Sequence, residues 1–168
     1  VTVNPLPTVA AITGSPDVCV GSTTVLASST TGGVWSTSDA TVADVSASGV
    51  VTGVSTGSAT ITYTVTDGNG CTNSTSASVT VNAAPTATVT ASGATTFCAG
   101  GTVDLTANAG TSYLWSNGAQ TQTITVTTSG SYSVTVTNGS GCSTTSAAEA
   151  VTVNPLPTVA AITGSPDV

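Results

Sequence analysis

One stretch of this chain occurs twice. Residues 1–18 read VTVNPLPTVAAITGSPDV and residues 151–168 read the same, an offset of 150 residues. Identity of that length at a fixed offset is the mark of a tandem array, in which each repeat is one structural unit stacked on its neighbours. The expected reading is one 150-residue period of a longer array. Residues 1–7 are then the last strand and linker of a preceding repeat, and 158–168 the start of the next. A second reading fits the same identity: separate subunits joined by strand donation, the end of one replacing the start of another.

A weaker repeat lies inside the period. Val-Thr-Val-Asn begins at Val1, Val79 and Val151, and each copy leads to a Pro-Thr pair at Pro7, Pro85 and Pro157. The period therefore holds two modules, 8–82 and 83–157. Modules of about 75 residues bury small cores, and extracellular domains of that size usually add disulfides. Asn154–Pro157 reads as a short stiff linker, because two prolines favour extended backbone.

The composition calls for strands. The chain has 38 Thr and 23 Ser, an apolar set dominated by Val and Ala, and, of the long-chain helix formers, one Glu, two Gln and no Lys or Met. β-Branched residues fit a pleated, half-buried surface. In 59–66, Ala59, Ile61, Tyr63 and Val65 alternate with four Thr, and Asp67-Gly68-Asn69-Gly70 follows as a hairpin turn. Module one has further expected strands at 23–28, 34–37, 41–46, 50–54 and 76–81. Module two repeats the plan at 102–107, 113–116, 122–127, 131–137 and 148–153, with a turn at Asn138-Gly139-Ser140-Gly141. Such regular alternation separates the chain from a disordered hydroxyl-rich stalk. The fold class expected is all-β: two tandem Ig-like antiparallel β-sandwich domains. Trp35 and Tyr63 in module one, and Trp115 and Tyr132 in module two, are the expected core aromatics.

The net charge is −7, with no Lys, Arg or His. Nucleic-acid binding and polybasic membrane contact both need cations. No run reaches the apolar length of a membrane-spanning helix. The first residues lack the positive region of a signal peptide, so an export signal is expected outside this segment. Catalysis would have to rest on carboxylates, Tyr and hydroxyls. Asp39 and Asp44 are the nearest to a carboxylate pair and read instead as turn and surface residues. Asp67-Gly68-Asn69-Gly70 lacks the full acidic series of a calcium loop. Asn73 and Asn138 head glycosylation sequons. The Thr121–Thr127 row resembles an ice-binding array, but that needs a flat face and sandwich sheets twist. No enzyme activity, cofactor or metal is expected.

Each module carries two cysteines, Cys19 and Cys71, then Cys98 and Cys142. Parity and placement suggest the bridges Cys19–Cys71 and Cys98–Cys142, although four cysteines allow three connectivities. In a strict seven-strand sandwich these positions fall at opposite ends, so the bridges require a rerouted strand or a bent first strand. Free buried thiols and a zinc site are the competing readings, the latter opposed by wide spacing and the absence of His. Disulfides would imply an oxidising, exported setting.

Module one resembles the bacterial Ig-like group 2 family, in Gly21–Leu26, Trp35–Asp39, Val42–Val45, Gly49–Gly53 and Gly57–Ile61. Module two resembles the Ig/PKD-like repeats of giant surface adhesins from gliding bacteria with type IX secretion, in Cys98–Thr102, Tyr113–Gly118, Gly130–Val134 and Asn138–Cys142. Gly130-Ser131-Tyr132 also resembles the tyrosine corner of Ig folds. These resemblances imply an extracellular, cell-surface stalk, adhesin or filament. The expected partners are further copies of the repeat, a homo-oligomeric bundle or filament, and a surface glycan. The alternative to a structural segment is a glycan-binding Ig-like module, with Gly32-Gly33 or Asn117-Gly118 at the contact.

Overall fold

A computed structural model describes residues 3–159. The expected start of the next repeat falls mainly on residues 160–168, which lie outside the described residues, as do Val1 and Thr2. The chain forms two compact units, Val1–Ala84 and Pro85–Val168, and among the described residues every regular element is a strand.

Among the described residues, unit 1 has seven strands: β1 (Asp17–Cys19), β2 (Thr23–Val25), β3 (Val34–Thr37), β4 (Ala43–Val45), β5 (Val50–Gly53), β6 (Gly57–Thr66) and β7 (Thr72–Asn82). They make two sheets, β1-β7-β6-β3 and β2-β5-β4. The alternating Val/Ile/Ala face of β6 and β7 supplies Ala59, Ile61, Val79 and Val81 to a core completed by Val18, Leu26, Ala43 and Val51. Ile61, Val51 and Val79 are fully buried, and burying each such side chain is worth roughly 1.5–3 kcal/mol. The other face of β6 is threonine, so period-two alternation separates core from solvent. The β6/β7 register is unbroken from Gly57↔Val81 to Thr66↔Thr72.

The start of unit 1 departs from the expected plan. Thr13 bridges Ala27 beside the smaller sheet, and Gly14 turns the chain at a φ of 127°. There the backbone passes so close to Val25 and Leu26 that no side chain fits. The chain then joins the other sheet as β1, parallel to the end of β7. The first strand is thus bent between sheets, and β1 with β7 in unit 1 and Thr96–Cys98 with Glu149–Asn154 in unit 2 are parallel strand pairs among antiparallel ones.

Among the described residues, unit 2 has nine strands, none longer than six residues: β8 (Val89–Ala91), β9 (Thr96–Cys98), β10 (Val103–Ala107), β11 (Ser112–Trp115), β12 (Thr123–Val126), β13 (Gly130–Tyr132), β14 (Val134–Thr137), β15 (Ser143–Thr145) and β16 (Glu149–Asn154). Its sheets are β12-β10-β8, β11-β14-β15 and β13-β16-β9. The expected strand at 131–137 is broken at Ser133. The cause lies on its partner. Between Tyr132↔Glu149 and Thr135↔Thr145, two residues on one strand face three on the other, a one-residue bulge. Ser146 fills it, its amide donating to the Val134 carbonyl and its hydroxyl accepting from the Val134 amide. Tyr132, Val134, Val136 and Trp115 still point into one core with Leu105 and Ile124.

Residues 151–154 form strand because β9 and β13 flank them. The same text at residues 3–4 is not strand. A ladder needs its partners, and those of the repeated segment precede it in sequence.

Candidate functional site

The cysteines and the Asp67 and Asn138 turns sit at the two ends of each unit. At one end is the turn before the last long strand. In unit 1, Asp67 Oδ1 accepts the amides of Asn69 and Cys71, both at 2.9 Å. The Gly70 amide donates to the Asp67 carbonyl, and the Asp67 amide to that of Cys71. Unit 2 builds the same turn with Asn138, whose Oδ1 accepts the amides of Ser140 and Cys142 at 3.1 and 3.0 Å. The Asp67 loop, read above as a weak calcium candidate, thus uses one carboxylate oxygen to close its own turn.

The chain also enters each unit at this end. Asn73 Nδ2 donates to the Pro7 carbonyl at 2.8 Å, fixing the incoming segment two residues from Cys71. In unit 2 Asn108 clasps the incoming backbone, donating to the Thr86 carbonyl and accepting from the Thr88 amide. Three residues on, the Thr111 amide donates to the Thr137 carbonyl beside the Asn138 turn. Both sequon asparagines, Asn73 and Asn138, therefore spend their side chains on local structure.

The chain leaves from the opposite end. Asn82 closes β7 opposite Cys19, and Asn154 closes β16 opposite Cys98. The two outlets match bond for bond: the Val20 amide donates to the Asn82 carbonyl at 3.0 Å and the Ala99 amide to the Asn154 carbonyl at 2.8 Å.

This placement corrects the expected cysteine pairing. Cys71 and Cys98 carry free thiols, so neither Cys19–Cys71 nor Cys98–Cys142 is formed; Cys19 and Cys142 are disulfide-bonded. The reason is distance along the strand. Cys71 precedes β7 and Cys19 stands at its far end. Ten residue steps of about 3.3 Å separate those ends by about 33 Å, whereas bridged Cα atoms lie within about 7 Å. The bent first strand does not help, because the bend at Gly14 precedes Cys19. Among the described residues, no group of three or more His, Cys, Asp or Glu side chains is placed to hold a metal.

Of the expected core aromatics, Trp115 is 2% exposed, Tyr63 6% and Tyr132 8%. Trp115 Nε1 donates to the Thr121 carbonyl at 2.8 Å. Tyr132 OH donates to the Thr128 carbonyl four residues upstream, a tyrosine-corner bond. Tyr63 OH donates to the Thr30 carbonyl and accepts from the Gly33 amide. Trp35 departs from expectation: it is only half-buried, its ring tilted 44° against Tyr63 at 4.6 Å. It lines an open groove of about 190 Å³ with Leu26 and Tyr63, flanked by Ser28 and Ser48. Val25 and Ala27 complete the groove's lining.

Asp39, Asp44 and Asp104 are committed locally. Hydrogen bonds from the Thr41 hydroxyl (2.6 Å) and the Thr41 amide (2.9 Å) hold the Asp39 carboxyl below its ordinary pKa. Asp44 Oδ1 accepts the Val45 amide. On β12, Thr125 donates to Asp104 and Thr123 bonds Thr106. The expected threonine row therefore shrinks to two strand positions whose hydroxyls are already engaged.

Residues 1–76 match the family model described as Bacterial Ig-like domain (group 2), the family that module one resembles. No curated protein matches the chain. Among solved structures, murine CEACAM1b is 14% identical, with 84% of this chain and 99% of that one covered and a TM-score of 0.40. Domains 4 and 5 of the S-layer protein SbsC are 20% identical over 81% and 83%, with a TM-score of 0.37. A Ca2+-stabilized adhesin that helps an Antarctic bacterium reach out and bind ice is 19% identical over 90% and 50%, with a TM-score of 0.34.

Proposed function

We propose that the chain is a structural segment of an extracellular surface fibre or adhesin stalk, made of Ig-like modules in tandem, and that it is not an enzyme. The observation that carries this reading is the path of the backbone. Each unit takes the chain in beside its Asp67 or Asn138 turn and releases it at the opposite end, at Asn82 or Asn154. A module threaded from end to end adds length when repeated. The 150-residue duplication supplies the repetition, and hydroxyl-rich outer faces hydrate a surface without the salt sensitivity of charge. Its partners in this reading are further copies of the same repeat, in one chain or in a bundle. No contact with nucleic acid or membrane is invoked.

Electron cryo-microscopy of the native material tests the proposal. Two modules, each built on strands rising about 3.3 Å per residue, should give an axial period of about 70–85 Å. A much shorter period, or compact particles, would overturn it. Mass analysis under reducing conditions separates a tandem array, a very large chain, from subunits joined by strand donation.

The Trp35 groove supports a second reading, a glycan-binding module, because a half-exposed indole beside hydroxyls suits stacking on a sugar ring. Saturable glycan binding abolished by Trp35→Ala would favour it.

A further inference from the structure

We infer that Cys98 and Cys71 form a disulfide between successive repeats, joining the outlet of one 150-residue period to the inlet of the next. The inference rests on the tandem-array reading and adds a covalent site to it.

Three observations fix the geometry. Cys98 stands opposite Asn154, where the chain leaves unit 2. Asn73 holds the Pro7 carbonyl, so Cys71, two residues before it, stands where the chain enters unit 1. Finally, residues 151–168 repeat residues 1–18, so Pro157 is the Pro7 of a following copy. The Asn73 of that copy would hold the Pro157 carbonyl, only three residues beyond Asn154.

Three extended residues reach about 10 Å, and the prolines at 155 and 157 favour extension. Cys71 of the following copy projects back from Asn73 by two strand residues, about 6.6 Å. The remaining axial gap is about 3–4 Å, and adjacent strands lie about 5 Å apart laterally. Each cysteine is offset from the linking segment by one such spacing, so with both on the same side of it the offsets largely cancel and the Cα separation falls near the range of about 4.4–6.8 Å that a disulfide spans.

Both thiols are free to react. Cys71 is half-buried and Cys98 exposed. Cys19 and Cys142 hold the other outlet and the other inlet, and both are already disulfide-bonded. With all four engaged, every cysteine of the period would sit at a module end. The reaction is ordinary thiol–disulfide exchange. The two thiols give up two protons and two electrons, forming one S–S bond, and the disulfide of an export-route oxidoreductase is reduced to a dithiol.

The test uses the native full-length chain, alkylated under denaturing, non-reducing conditions at low pH and digested with pepsin. Mass spectrometry should find a Cys71 peptide joined to a Cys98 peptide, with the link lost on reduction. Alkylated, unlinked Cys71 and Cys98 would overturn the inference even if the reduced chain proves to be many periods long. Cys19–Cys71 or Cys98–Cys142 peptides would overturn it too. Should reduction release single-period subunits, the array reading fails, while a Cys71–Cys98 peptide would still establish the bond, now between subunits.

A one-copy variant sets the direction. With Cys71→Ser in one repeat only, and the exposed Ala99→Ser as a mass marker in that same repeat, the newly free Cys98 should be the unmarked one of the preceding repeat. A free Cys98 in the marked repeat would overturn the inference.

Discussion

Asp67 and Asn138 perform the same task in the two units. Each offers one side-chain oxygen to the backbone amides two and four residues ahead, and each thereby sets the cysteine at the end of its turn. The acid and the amide are interchangeable here because only acceptance is needed. Asp67→Asn should therefore leave stability within about 0.5 kcal/mol of the parent. Asp67→Ala, which orphans two amides, should cost about 1–2 kcal/mol. Urea unfolding followed by tryptophan fluorescence would measure both.

The two tryptophans should respond unequally to truncation. Trp115 is enclosed by the unit 2 core and bonded through its indole N–H, so Trp115→Ala should cost about 3–5 kcal/mol. Trp35 keeps one edge in the groove, and Trp35→Ala should cost clearly less. Equal losses in thermal or urea unfolding would contradict the difference in burial.

Gly33 donates its amide to Tyr63 OH and lies against the phenol ring, with no space for a Cβ. Gly33→Ala should displace Tyr63 and destabilise unit 1 by about 1–3 kcal/mol. Tyr63→Phe in the same background should recover none of that loss, since the clash involves the ring. Differential scanning calorimetry of the two variants decides the point.

The acid limb of the stability curve should carry a contribution from Asp39. Its folded-state pKa is lowered, chiefly by the Thr41 hydroxyl and then by the Thr41 amide. The unfolded chain therefore takes up a proton first as pH falls. The contribution is present above the ordinary carboxylate pKa of about 3.9 and is lost as pH drops through the lower folded value. Asp39→Asn should show a shallower acid loss than the parent. Urea midpoints measured from pH 7 down to 2 would reveal it.

The sequence shows some of this architecture directly and hides the rest for definable reasons. β6 is legible because four inward apolar residues alternate with threonines, and β3 because Trp35 sits among strand formers between turn signals. β1 and β9 are three residues long and pair in parallel with strands more than fifty residues away, so no local pattern announces them. The break between β13 and β14 is invisible in their own text, since Tyr132, Val134 and Val136 keep perfect alternation. The extra residue lies on the partner strand near Ser146. The cysteines show the limit most clearly. Similar spacing in both modules invites a bridge within each; a sandwich plan sets the two cysteines at opposite ends, but only the register of β1 on β7 shows that the bend at Gly14 comes before Cys19 and cannot bring it back to Cys71.

That register has a mechanical consequence. Because β1 runs parallel to β7, tension between the segment before β1 and the residue after Asn82 pulls the two strands past each other along their length. The bonds joining Asp17–Cys19 to Thr80–Asn82 then bear load together instead of peeling apart singly. β9 and β16 give unit 2 the same clamp at its own outlet. Each unit is thus built to resist stretching in shear, the direction in which a short row of hydrogen bonds is strongest.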